Sequence, residues 1–472
     1  MTERSHPRPT RAVVIGGSIA GMLAAAAVKD HVDRVEILET HEIPAGPKPR
    51  AGVPQAAHFH ILLSGGADAV DDLLPGAVGR LLAAGAHRVP MTTNMIMYSP
   101  EGWYRRWKRD SHHLIAASRD LTDFVVREHV LKAPNVTVRP LTRVTALLGD
   151  ARRITGVRVR EAGGAESEVT ADLVVDASGR ASRTPRWLAE LGLGRVREDR
   201  LDSGLAYASR VYRAPVATRN WPVINIQADP RLPRAGGIVP IEDGRWHVSL
   251  MGTSGGQPTR DPDAFAPYAR TLRHPVVADL LDRAEPLTDV VVTRSTVNRR
   301  YYYERLGSWP EGLVAVGDSV AAFNPVYGHG MSVAALGAVA LRDRLAAAGL
   351  RTGLARQAQR AIARPVHLAW SLAVGQDIHY PTTTGGKAGY ADRLLHRYVS
   401  RLSRTATGSY HVATAMTDVL TLQTSGISLL RPGVLAAAVR GPSRPQLTAP
   451  TFTPSERRLM DEADIVLSAA GG

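Results

Sequence analysis

The chain has 472 residues and no cysteine, and Lys+Arg exceeds Asp+Glu by 58 − 44, a net charge of +14. That length is too great for one compact core and implies two or three domains. The missing cysteines exclude disulfides, thiolate metal sites, dithiol redox chemistry and a cysteine-linked cofactor, and permit a reducing compartment. Only five basic residues are lysine (Lys29, Lys48, Lys108, Lys132, Lys387), and arginine is spread along the whole chain rather than gathered in a patch or tail, so the charge does not read as a nucleic-acid surface. No apolar run reaches the roughly 18–20 residues that span a bilayer. The polar start Met1–Thr10 lacks the apolar core of a secretory signal. The expectation is a cytoplasmic protein without a transmembrane segment.

In chain order, Arg11–Ile15 (RAVVI) is a short buried strand, Ser18–Val28 a small-residue helix and Val35–Glu39 (VEILE) a second strand. This is a strand–helix–strand unit of about thirty residues. Arg80–Arg109, with Met91, Met95, Met97, Tyr98, Trp103, Tyr104 and Trp107, shows weak helical periodicity. A helix is predicted over Ser118–Lys132, then strands over Val136–Pro140, Ile154–Arg160 and Asp172–Asp176. Short alternating stretches at Gly204–Tyr212, Val223–Ala228, Ile238–Ile241 and Trp246–Gly252 predict an inserted antiparallel sheet. Leu313–Val316 is another buried strand, followed by a helix over Gly330–Ala348, and 351–472 reads as mainly helical with a proline-rich break near 441–454.

The fold class is therefore α/β, a Rossmann-like domain with an interleaved antiparallel-sheet domain and a helical C-terminal region. The expected boundaries are 1–80, 112–200 and 293–350 for the first, 81–111 and 201–292 for the second, and 351–472 for the third.

Val13-Val14-Ile15-Gly16-Gly17-Ser18-Ile19-Ala20-Gly21 nearly matches G-x-G-x-x-G, with Ser18 at the second glycine. Glycine suits that turn because backbone must approach a pyrophosphate closely and then open a helix whose N–H groups face the anion. Taken alone, a tight packing turn would explain it. The preceding strand, the following helix and Glu39, eighteen residues after Gly21, point to a dinucleotide. A carboxylate there accepts from ribose hydroxyls and repels a 2′-phosphate, which argues against tightly held NADP. Two more turns follow: Asp172-Leu173-Val174-Val175-Asp176-Ala177-Ser178-Gly179-Arg180, and Leu313–Gly330 (LVAVGDSVAAFNPVYGHG).

These three elements, in this order and at these separations, resemble the single-component flavoprotein monooxygenases of the para-hydroxybenzoate hydroxylase and squalene epoxidase type, over about residues 11–345. The stretches RAGVPQAAHFHILLSGG, STVNRRYYYERL and AFNPVYGHGMS resemble more narrowly the bacterial flavin epoxidases of polyether antibiotic biosynthesis. The resemblance implies non-covalent FAD. Gly16, Gly17, Ser18, Ala20 and Gly21 would cradle its pyrophosphate, and Glu39 would hold the adenosine ribose. Arg50 would lie beside the pyrophosphate and flavin, Arg119 would reach the ribityl–phosphate region, and Val144 would meet the adenine through its backbone. Asp176 and Gly179 belong to the second turn of the cofactor site. Asp318 would bind the ribityl chain and diphosphate, and Pro325, Gly328, Gly330 and Met331 would line the isoalloxazine edge. The departures are Ser18 and Ala181, where relatives often have glycine.

The implied reaction is epoxidation of alkenes in a hydrophobic polyketide or isoprenoid-like precursor by a flavin C4a-hydroperoxide, so no side chain is expected to be the oxidant. NADPH or NADH would act as a transient reductant, with a separate flavin reductase as an equal alternative, and the substrate could be free or bound to a carrier protein. Trp103, Tyr207, Trp221 and Trp246 are candidate pocket walls, although core packing explains each as well. His58 and His60 form an H-x-H pair without an evident third metal ligand, and His329 could assist proton movement. The rival readings are an aromatic hydroxylase, which would want a hydrogen-bond network to deprotonate a phenol, and a nonoxidising flavin- or hydrophobe-binding carrier. A halogenase is disfavoured by the lack of a W-x-W-x-I-P segment and the scarcity of lysine.

Overall fold

The structure is a computed structural model and describes residues 9–253 and 255–468. The polar start of the chain, up to residue 8, and the terminal Gly471-Gly472 lie outside them. The buried apolar runs predicted as strands assemble into a parallel five-stranded sheet in the order Leu313–Ala315, Leu173–Asp176, Arg11–Ile15, Arg34–Leu38, Val136–Arg139. Arg11–Ile15, Leu173–Asp176 and Leu313–Ala315 are covered on both faces and are near-continuous apolar runs, whereas Arg34–Leu38 and Val136–Arg139 toward the other edge alternate with polar residues. The chain leaves Arg11–Ile15 to one side first and returns on the other later. That reversal opens a crevice at the carboxyl ends of Arg11–Ile15 and Leu173–Asp176, where open α/β sheets bind ligands. The edge strand Leu313–Ala315 is sealed by a side chain: Gln359 accepts from Ala315 N at 2.9 Å and donates to Ala315 O at 3.3 Å.

The second body is an eight-stranded sheet. Its path runs Glu285–Pro286, Ala206–Arg213, Arg245–Gly252, Arg234–Ile241, Val223–Ile226, Met95–Ser99 and Gly102–Trp103, with Val291–Thr293 also on Ala206–Arg213. It is antiparallel except where Val223–Ile226 runs parallel to Met95–Ser99. Here the weak helical reading of Arg80–Arg109 is corrected. Helix Ala77–Ala83 ends before His87, and strands His87–Pro90, Met95–Ser99 and Gly102–Trp103 follow. Pairing with a distant strand outweighs a local period that was never strong.

Strand alternation gives this sheet two unlike faces. Ile96, Ala208, Tyr212, Ile224, Ile238, Trp246, Val248 and Leu250 pack outward against helices Phe265–Arg270 and Val276–Leu281. Residues of opposite parity, among them Val211, Val223, Val239 and Ile241, turn inward to a three-stranded sheet of His60–Leu63, His113–Ala117 and His87–Pro90.

Beyond helix Gly330–Ala348 the chain is helical, through Leu354–Asp377, Tyr390–Ala406, Tyr410–Leu420, Pro432–Arg440 and Pro454–Glu462. Its last part returns to the large sheet, where Phe452, Met460 and Ile465 join the outward core. Among the described residues no helix is long and apolar enough to cross a membrane.

Candidate functional site

Three glycine turns meet at the crevice. A Cβ on Gly16, whose φ is +100°, would lie 2.7 Å from Ala177 O, so the first turn touches the second. A Cβ on Gly317 would lie 2.9 Å from that of Ala20, so the third touches the first. Cβ atoms on Gly179 and Gly330 would each come within 4.0 Å of Asp318. Gly21 lets its helix press on the strand, since a Cβ there would meet Gly16 O at 1.8 Å.

Two helices begin at this junction, Ile19–Val28 and Gly330–Ala348, and neither has a side-chain cap on its first turn. Their leading N–H groups are orphaned by helix geometry and carry the positive end of the helix dipole. Uncapped N-termini beside glycine turns that leave room for close backbone approach form a cradle for an anionic group.

The polar side chains predicted around the first turn do gather there. Arg50 donates to Gly17 O at 2.9 Å and to Glu39 Oε2 at 3.0 Å. Arg119 donates to Ser18 Oγ at 2.8 Å and to Asp123 Oδ1 at 3.0 Å. Glu39, Arg50, Arg119 and Asp123 are all buried. Ser18 at the glycine position thus anchors an arginine. The Gly17 N–H donates to Glu39 Oε2 at 2.8 Å, so of the turn's backbone donors this one is already paired within the protein. Glu39 also accepts from His41 N at 2.9 Å. An ionised carboxylate has about four acceptor directions, so the three bonds to Gly17, Arg50 and His41 leave one for a ribose hydroxyl. Val144 sits in the strand Thr142–Gly149, which starts against Glu39 through Thr142 N donating to Glu39 O at 2.8 Å, and its side chain packs in the core.

Asp176 is also corrected. It is fully buried, and its carboxylate accepts from Ser178 N and from the hydroxyls of Ser178, Ser182, Thr184 and Ser319. With its acceptor directions filled, it braces the second turn from within and offers nothing to a ligand. Gly179 N donates to Ser319 Oγ at 2.9 Å, which ties the second turn to the third.

Asp318 behaves differently. Burial raises its carboxyl above the usual range, against the pull of Arg180 3.6 Å away, yet about a third of the side chain (35%) is still accessible. Asp318 is therefore a deep carboxylate that a ligand can still reach. Pro325–Tyr327 forms a single helical turn, Gly328 follows at φ +66°, and Met331 is buried in the first turn of its helix.

The aromatic candidates separate between the two faces of the large sheet. Trp103, Trp221 and Trp246 belong to the outward core, with Trp221 and Trp246 rings 5.6 Å apart, and are not pocket walls. Tyr207, of inward parity, packs with Phe59, Met251 and Val326 and donates to Asn324 Oδ1 at 3.3 Å.

The inward face also carries a polar chain that sequence reading did not assemble. His58 Nδ1 is 2.7 Å from Ser209 Oγ, and Ser209 Oγ is 2.6 Å from Ser249 Oγ. Ser209 and Ser249 are register partners on neighbouring strands, a pairing no local motif signals. Among the described residues His58 Nε2 is buried without a hydrogen-bond partner. Burial pulls the His58 imidazole down to about 4, which keeps it neutral near pH 7. His60 is directed elsewhere, with Nδ1 2.8 Å from His58 O. His329 places Nε2 2.9 Å from Leu420 O, is lowered to about 4 by burial, and keeps a buried Nδ1 without a partner among the described residues.

Comparison with known proteins agrees with this geometry. The model of the FAD dependent oxidoreductase family matches residues 12–227. Protein Rv3254 of Mycobacterium tuberculosis is 31% identical over 395 residues, covering 81% of this chain and 83% of that protein. Kynurenine 3-monooxygenase of Salinispora arenicola is 29% identical over 363 residues, covering 72% and 73%. Among solved structures, the flavin-dependent brominase Bmp2 superposes with a TM-score of 0.65 at 16% identity, covering 91% of this chain and 100% of that one. The p-nitrophenol 4-monooxygenase PnpA from Pseudomonas putida gives 0.63 at 16% identity, covering 88% and 98%. At such identities the structures speak for the fold alone. On the sequence matches, with 31% identity to Protein Rv3254 over most of both chains, the chain belongs to the FAD-dependent oxidoreductase family.

Proposed function

We propose that the chain is an FAD-dependent monooxygenase that places one oxygen atom from O₂ on a hydrophobic substrate, and that its reaction is epoxidation of an alkene. The observation that supports the flavin in this reading is the pair of uncapped helix N-termini at three glycine turns, and epoxidation rests on the resemblance of RAGVPQAAHFHILLSGG, STVNRRYYYERL and AFNPVYGHGMS to the flavin epoxidases. The donor set suits a non-covalent dinucleotide: Ser18, Ala20 and Gly21 at the pyrophosphate, Glu39 at the ribose, Arg50 and Arg119 beside the phosphates, and Asp318 at the ribityl chain. When bound, the flavin would activate O₂ and deliver one oxygen atom. The protein's part is then to orient the alkene and keep water away. Gly330 would direct the leading N–H groups of its helix toward negative charge on the reduced ring. The substrate would lie between this pole and the inward face of the large sheet, beside Tyr207.

A second reading is aromatic hydroxylation. It is favoured by the His58–Ser209–Ser249 chain, since a neutral imidazole backed by two hydroxyls can accept a hydrogen bond from a phenolic hydroxyl, and by the name of the kynurenine 3-monooxygenase. Halogenation gains nothing from the lysines. Lys48, Lys108, Lys132 and Lys387 are exposed, and Lys29 pairs with Asp30 at the surface.

Incubating the purified chain with FAD, NADPH or NADH, and separate panels of polyenes and phenols, with mass spectrometry for +16 products, decides among these. Products from polyenes alone support epoxidation, products from phenols alone replace it with hydroxylation, and reduced flavin that oxidises neither leaves a carrier. Asp318→Ala is expected to weaken FAD binding at least about tenfold by fluorescence titration, the loss of one charge-assisted hydrogen bond. Unchanged affinity would remove Asp318 from the site.

A further inference from the structure

The helical C-terminal region sends one carboxylate into the middle of the molecule. Asp377, at the end of helix Leu354–Asp377, is 1% exposed. Its Oδ1 accepts from the Tyr327 hydroxyl at 2.7 Å. Its Oδ2 accepts from Asn324 Nδ2 at 2.9 Å, from Asn298 Nδ2 at 2.7 Å and from Ser203 Oγ at 3.5 Å. Asn324 and Tyr327 bracket the turn that leads into helix Gly330–Ala348. Asn324 caps that turn by accepting from Val326 N at 3.2 Å, and its own N–H donates to Asn298 Oδ1 at 2.7 Å. Its Oδ1 is also the acceptor for Tyr207 of the large sheet.

One carboxylate therefore gathers side chains from the flavin-pole turn and from the strand Asn298–Tyr301, and reaches Tyr207 through Asn324. A buried carboxylate costs free energy unless its acceptors are filled. Among the hydrogen bonds described, every donor on this one is neutral, so no cation cancels its charge. Burial raises the carboxyl above its ordinary range, and the bonds from Asn324, Tyr327, Asn298 and Ser203 offset only part of that rise. Tyr380 and Tyr207 are raised by burial first and by Asp377 next, so the charge is felt around it. A carboxylate kept only to pack a helix end would be replaceable by an apolar side chain. This one is shaped to hold the turn.

We propose that Asp377 is a positioning residue for the flavin. Its carboxylate sets the Asn324–Gly328 turn against the first turn of helix Gly330–Ala348, and its negative charge opposes the charge that builds on the flavin when it is reduced. This inference rests on the reading of that pole as the flavin end of the site.

Two variants test it on FAD-loaded protein. Asp377→Asn keeps the shape and removes the charge, with the Tyr327 hydroxyl turning to accept from the new amide. It is expected to bind FAD within about threefold of the wild type, the scale of one neutral hydrogen bond rearranged, while shifting the two-electron reduction equilibrium about tenfold toward reduced flavin, about 30 mV. Tyr327→Phe removes one of the two tethers of the turn and is expected to weaken FAD binding about tenfold, the effect of one hydrogen bond to a charged group. An unchanged or lower potential in the first, or unchanged affinity in the second, overturns the proposal. If Asp377→Asn does not fold, Tyr327→Phe decides. A wild-type chain that takes up no FAD removes both the functional reading and this inference, whereas a flavin-loaded wild type with indistinguishable variants removes this inference alone.

Discussion

Gly16 shows how little room single residues have at this site. Its φ of +100° is strained for any L side chain, and a Cβ would meet Ala177 O at 2.7 Å. Gly16→Ala is expected to cost about 1–3 kcal/mol of stability, read as a lower denaturant midpoint, and to lower flavin occupancy because the first and second turns must part. The buried histidines set a pH dependence. Burial holds His58, His247 and His329 down to about 4, below the ordinary imidazole value of about 6.5. Between those limits the unfolded chain binds more protons than the folded one, so stability is complete above about pH 6.5 and falls as pH drops toward 4. Each histidine can contribute about 3 kcal/mol to that loss. Denaturant midpoints across this range are expected to decline on acidification, and the double variant His58→Gln with His247→Gln is expected to flatten the slope. A wild-type midpoint that holds steady from pH 7 to 4.5 would contradict this assignment.

Along a strand, a period of two decides which side chains can meet substrate. Trp246 and Ser249 lie three residues apart in one strand and face opposite ways: Trp246 meets Trp221 and the covering helices, and Ser249 meets Ser209. Trp246→Ala should therefore act through packing. It is expected to cost about 3–5 kcal/mol while the protein that remains folded keeps its FAD affinity. Loss of affinity without loss of stability would mean that the indole faces the site. The glycine turns and the flanking strands are local features, so they are readable as motifs. The polar chain His58–Ser209–Ser249 joins a loop to two strands: Ser209 and Ser249 become neighbours only through strand register, and His58 only because its loop lies against them.

Across the whole molecule, the C-terminal region is fastened to both bodies. Arg106 forms a two-pronged pair with Glu456 at 2.6 and 2.8 Å, about nine-tenths buried on both sides, and also donates to Thr93 O, Thr451 O and Asn94 Oδ1. Arg106→Ala would leave Glu456 buried with Thr453 N as its remaining donor, at an expected cost of about 3–5 kcal/mol. Protease nicking near the loop 441–453 should then precede loss of the flavin domain. Simultaneous loss of both would show that the C-terminal region folds as one unit with the rest.

How much of this was legible in the sequence follows from separation along the chain. The strand–turn–helix at Arg11–Val28, the carboxylate Glu39 and the strand ends at Asp176 and Asp318 are written in local order, because a buried strand, a Cβ-free turn and a helix start each need particular residues within a few positions. The direction in which Trp246 points, the bond from Ser319 to Asp176 and the bonds that Asp377 accepts from Asn324 and Tyr327 depend on segments 50 or more residues apart, and in Arg80–Arg109 pairing with distant strands set the secondary structure as well. The sequence by itself determined where a dinucleotide's turns lie, because those constraints are steric and short-ranged. Only the tertiary structure decided which polar groups are spent on bracing the fold and which remain for a ligand, because a buried donor or acceptor is satisfied by whatever the fold brings within hydrogen-bond reach.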